Sequence, residues 1–107
     1  MQEKMIKLSH IITDCYFDRN EAIKRDNVTA LEKADDELRE KASELSKLIV
    51  ESKNSELLEF ANDILKRLKK MDDYLKKDNI DSFMKEDEAI RKIALNIVDT
   101  ILDNIKQ

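Results

Sequence analysis

The chain has 107 residues, 41% of them charged, 41% hydrophobic and 5% aromatic, with no glycine and no proline. This composition excludes a sheet protein, which needs turn residues at every corner, and points to long helices in a single domain. A net charge of −4 and a single cysteine exclude a polybasic nucleic-acid or membrane-surface binder and an intramolecular disulfide framework.

Met5, Leu8, Ile12, Cys15, Arg19 and Ala22 are spaced 3, 4, 3, 4, 3, as one buried helix face requires, and predict a first helix from Gln2 to Lys24. Its opening carries Glu3, Lys4 and Lys7 where a signal peptide needs an apolar run, so a cytoplasmic protein is expected. The phase breaks at Asp26 and Asn27, either of which can cap a new helix with its side-chain oxygen; Asn also tolerates the left-handed conformation. Val28, Leu31, Asp35, Leu38, Ala42, Leu45 and Ile49 then set the seam of a second helix. A second break falls in Ser52 to Ser55, because the apolar set restarts one residue late as Leu57, Ala61, Ile64, Leu68, Met71 and Leu75. Asp78 and Asn79 cap a fourth helix, with its seam at Ile80, Phe83, Asp87, Ile90, Ala94, Ile97 and Ile101. No apolar run approaches the ~20 residues of a membrane span.

The stretch Lys24 to Ala42 recurs 52 positions later as Lys76 to Ala94. Lys24, Asp26, Asn27, Lys33, Asp35, Arg39 and Ala42 return as Lys76, Asp78, Asn79, Lys85, Asp87, Arg91 and Ala94. Two copies fall short of the roughly three that a solenoid needs. The expected fold is therefore all-α: a four-helix antiparallel up-and-down bundle built from two similar hairpins, about 1–52 and 53–107, in one domain over 1–107.

Enzyme chemistry finds few candidates. Cys15 and His10 lie five residues apart and so on different helix faces, Cys15 in the seam and His10 opposite, which leaves no nucleophile with its base. No catalytic residue, cofactor or metal is predicted. The Glu-x-x-His pairs of a di-iron bundle are absent. The pattern Glu/Asp-x-x-x-Asp occurs once per helix, at Asp14 and Asp18, Glu32 and Asp36, Glu59 and Asp63, and Asp99 and Asp103, close to the roughly three that chance supplies at this acidic content. Lys66, Arg67, Lys69 and Lys70, with Lys76 and Lys77, are interrupted by Asp72 and Asp73 and are expected to form a solvated face; nucleic acid is not an expected partner.

The segment Leu31-Glu32-Lys33-Ala34-Asp35-Asp36-Glu37-Leu38-Arg39 resembles the acidic boxes of PhoU-type phosphate-uptake regulators, helical proteins whose boxes bind metal. The likeness covers under a fifth of the chain, and the three-helix units and glycines of that family have no counterpart here. A PhoU-like metal- or ligand-responsive regulator is thus the alternative function. The leading expectation is a non-enzymatic bundle acting through protein–protein contacts, as an adaptor, inhibitor, immunity-type factor or secretion chaperone.

Two sets of residues carry that expectation. Asp35 and Asp87 occupy seam positions, each followed four residues on by an arginine, so Asp35–Arg39 and Asp87–Arg91 are the predicted pairs, at the seam edge where carboxylates are ordinarily found. A second apolar stripe on the last helix, Leu95, Val98, Leu102 and Ile105, with Ile6 and Phe17 on the first, exceeds what one core face needs and predicts a contact surface, first of all for a second copy in a homodimer.

Overall fold

Three asparagines start three of the four helices. The computed structural model, which describes Met1 to Lys106, has α1 over Gln2–Lys24, α2 over Val28–Ser52, α3 over Ser55–Lys76 and α4 over Ile80–Lys106, with no strand among the described residues. Asn27 Oδ1 accepts from the Ala30 amide (3.1 Å), Asn54 Oδ1 from those of Glu56 (3.1 Å) and Leu57 (3.3 Å), and Asn79 Oδ1 from that of Ser82 (3.3 Å). Each satisfies first-turn N–H groups that have no partner within the helix.

The residue before each asparagine turns the chain. Asp26, Lys53 and Asp78 all take φ 56°, so it is two aspartates and a lysine, not the asparagines, that adopt the left-handed conformation. This corrects the division of roles expected from the sequence; the asparagines are committed to capping. At the α1–α2 turn the Asn27 amide donates back to Ala22 O (2.9 Å) and Asp26 to Ile23 O (3.2 Å). At the α3–α4 turn Asn79 donates to Tyr74 O (2.8 Å) and Asp78 to Leu75 O (3.2 Å), the same pair of closing bonds. The α2–α3 turn differs by one inserted hydroxyl. Lys53 N–H still donates to Val50 O (3.2 Å), but Ser52 Oγ accepts from Asn54 N–H (3.3 Å) and donates to Ile49 O (2.7 Å), standing where a direct backbone bond closes the other two turns.

With turns this short, consecutive helices must run antiparallel. α1 packs on α2 and α4, and α3 packs on α2 and α4, closing a ring of four in an envelope of 45 × 25 × 17 Å. All six seam residues of α1 are buried, as are Leu38, Ala42, Leu45 and Ile49 of α2, Leu57, Ala61, Ile64 and Met71 of α3, and Phe83, Ile90, Ala94, Ile97 and Ile101 of α4. Buried Ser9 and Ser46 donate to the carbonyls four residues back, Met5 O (2.9 Å) and Ala42 O (3.0 Å), leaving no free hydroxyl in the core. The seams lose cover at the end holding the α1–α2 and α3–α4 turns, where Val28, Leu75 and Ile80 are exposed and Leu31 is half-buried. Among the described residues no helix is long and apolar enough to cross a membrane.

Candidate functional site

The apolar seams are interrupted by charge at one level of the bundle. Asp87 on α4 is 0% exposed, Asp35 on α2 is 9% and Arg19 on α1 is 3%. Both acids are therefore inside, not at the seam edge, because each sits between core residues of its own helix and faces a neighbour that closes over it. Arg19 Nη1 donates to Asp87 Oδ2 at 2.7 Å, and its Nη2 to Asn20 Oδ1 at 2.7 Å. Arg39 Nε lies 3.2 Å from Asp35 Oδ2, the predicted i,i+4 pair, and the same guanidinium reaches Asp36 (2.9 Å) and, across to α3, Asp72 (3.3 Å).

The other predicted pair does not form. Arg91 makes no ion pair with Asp87; its guanidinium lies 4.9 Å from the Tyr16 ring centre and 5.9 Å from that of Phe17, held by the two aromatic faces of α1. Arg19, also 4.9 Å from the Tyr16 ring, reaches Asp87 from the facing helix instead. Under the 52-residue correspondence Arg19 matches Met71, so only one of the two acids has an arginine supplied from across the bundle.

Asp35 and Asp87 each retain one oxygen, Oδ1, buried and without a donor. The two carboxyls are close enough for the charge of Asp35 to act on Asp87. Burial, then the charge of Asp35, pushes the Asp87 carboxyl up to about 7 against the pull of Arg19. Burial also raises Asp35, opposed first by Arg39. The site can therefore hold a proton at neutral pH on a carboxyl that is ionised in water.

Above this network the bundle is open. A cavity of about 320 Å³ lies at the end bearing the two like turns, walled by Ile23, Leu31, Leu75, Ile80, Phe83 and Met84, with Glu32 at the rim and Arg19 and Asp35 at its base. All four helices contribute to it.

The remaining candidates fall elsewhere. Cys15 is buried, and burial followed by the charge of Glu37 pushes its thiol up to about 11, which keeps it protonated; His10 is exposed on the opposite face. In the segment Leu31 to Arg39, Asp35 and Arg39 join the network, Asp36 meets Arg39 from an exposed position, and Glu32 is exposed. Among the described residues no three His, Cys, Asp or Glu side chains form a group able to hold a metal ion. Within the basic stretch Arg67 is tied to Asp63 (3.1 Å) and to buried Glu86 on α4 (2.9 Å).

The predicted contact stripe is divided. Phe17 (56% exposed), Leu95 (39%), Leu102 (42%) and Ile105 (62%) are open on α1 and α4, and Ile6 is half-buried against the core. Val98, 8% exposed, belongs to the core and not to the stripe. Val98 follows fully buried Ile97 and lies four residues on from Ala94, so it falls on the arc of α4 that packs against its neighbours. Compared with family profiles, curated proteins and solved structures, the chain matches none.

Proposed function

We propose that the protein is a non-enzymatic helical bundle that works through protein–protein contact on the α1/α4 face, with a second copy as its first partner. The observation that carries this reading is the group Phe17, Leu95, Leu102 and Ile105, large apolar side chains left open on two adjoining helices. Water around such a surface is released when a partner covers it. The size is right for that purpose: a long side of the bundle measures 45 Å by 17 to 25 Å, comparable to the roughly 800 Å² per partner of a standard interface. A two-fold arrangement lays the stripe against itself.

Photo-crosslinking tests the face directly. With a benzophenone side chain placed at Leu102, and in a second protein at Phe17, irradiation of the purified chain should give covalent dimers, whereas the same group at exposed Lys69 on α3 should not. Equal yields from all three positions would remove the α1/α4 face from consideration.

A further inference from the structure

The cavity at the open end is a second site, separate from the α1/α4 face and independent of what that face does. Its walls are Ile23, Leu31, Leu75, Ile80, Phe83 and Met84, with Glu32 at the rim, and it opens at the end where Leu75 and Ile80 are exposed. The layer beneath explains why it does not collapse. Arg19 is fixed by Asp87 and Asn20, each at 2.7 Å, and Asp35 by Arg39 at 3.2 Å, so the helices cannot close there without breaking charged contacts. An apolar cavity over a rigid floor is a preformed site for a small molecule, at the lower end of the usual 300–1,000 Å³ range.

Its size and charge select the occupant. A cavity of ~150 Å³ lined by aliphatic and aromatic side chains admits one benzene ring, and this one has about twice that volume. At its base Arg19 is held by Asp87 and Asp35 by Arg39, and Glu32, the remaining charge of the lining, is exposed at the rim with its own water, so an ionic ligand would give up its hydration against mainly apolar walls. A second copy of the chain is a poor occupant, since the end face of the bundle, 25 Å by 17 Å, is roughly half the area per partner of a standard interface. We propose that the open end of the bundle binds an uncharged, mainly hydrocarbon small molecule about the size of two fused or linked aromatic rings.

Naphthalene is the probe, followed through the backbone amide signals of the full chain. It should shift the amides of Ile23, Leu75 and Ile80 saturably, while 1-naphthoate and 1-naphthylmethylammonium bind more weakly. Leu31→Trp, which places a ring inside the cavity, should weaken naphthalene binding by roughly tenfold or more and leave the melting temperature equal or higher, as filling a cavity does. If that variant loses its helical signal, Met84→Trp on α4 makes the same test. Absence of shifts at those three amides overturns the proposal, as does equal binding by the filled variant or tighter binding of either ion. Concentration-dependent shifts of the same amides without naphthalene would assign the cavity to a second copy and overturn it too.

Discussion

Asp35 on α2 and Asp87 on α4 are both buried in the bundle, each with one oxygen that no donor reaches, and the charge of Asp35 raises Asp87. Neighbouring like charges cannot both remain ionised without cost, and burial raises that cost. Arg19 from α1 and Arg39 from α2 offset part of it, while Arg91 of α4 is held against the Tyr16 ring. Burial and the neighbouring Asp35 charge push Asp87 up to about 7, and burial raises Asp35 against the pull of Arg39.

Stability should consequently fall as pH rises, the reverse of ordinary acid denaturation. The Asp87 carboxyl stands at about 7 in the folded chain against 3.8 without the fold, so between those values the native state holds a proton that the unfolded state has released. The stabilisation is fully present below about 3.8 and lost as pH approaches 7, with a limiting slope of about 1.4 kcal/mol per pH unit for one proton. Urea unfolding at pH 5, 6, 7 and 8 should show that decline, and Asp87→Asn should flatten it. A wild-type profile that is flat or rising across this range would show that the dyad does not hold the proton.

Removing arginines should rank them by burial. Arg19→Met takes the nearest cation from buried Asp87, leaving its carboxyl undercompensated when ionised, and should cost about 3–5 kcal/mol at pH 8, above the Asp87 titration. Arg39, whose side chain is 28% exposed, should cost less, on the order of 1 kcal/mol. Double-mutant cycles separate the two arginines that compete for Asp87: Arg19 with Asp87 should couple by more than about 0.5 kcal/mol, and Arg91 with Asp87 should be additive. Additivity in the first cycle would mean that the 2.7 Å contact contributes no net stability.

Much of this network was legible in the sequence, and the part that was not has a physical cause. Periodicity placed Arg19, Asp35 and Asp87 on the core seams, and a cation on one seam implies an anion on another. The i,i+4 rule then pulled the assignment toward Arg91, because it sees only contacts along one helix. It succeeded for Asp35 and Arg39, on a helix face partly open to water, and failed for Asp87, which faces α1. Helix boundaries came through well because the three turns share an asparagine cap that breaks the apolar phase. The open end was not legible: Leu31, Leu75 and Ile80 continue the seams in register, and nothing in their spacing says that the last layer lacks neighbours.

The α2–α3 turn offers a local test of that asparagine rule. Lys53 occupies a left-handed conformation that costs a side chain bearing Cβ about 1 kcal/mol or more, so Lys53→Gly should raise stability by up to about that amount. Ser52→Ala removes the hydroxyl between Asn54 N–H and Ile49 O and should lower it by about 1 kcal/mol. Thermal unfolding of the two variants reads both signs. A destabilising Lys53→Gly would mean that the glycine's added freedom in the unfolded chain outweighs the relief of the turn.

Sedimentation equilibrium of the wild type and Leu102→Glu tests the α1/α4 face most directly. Leu102 is 42% exposed in the single chain, so a glutamate there should leave the bundle folded. The expected result is a wild-type dimer at micromolar concentration and a folded monomer for Leu102→Glu. A wild type that stays monomeric at that concentration, with a substitution that unfolds the chain, would show that Leu102 serves the core and that the face is not a site of self-association.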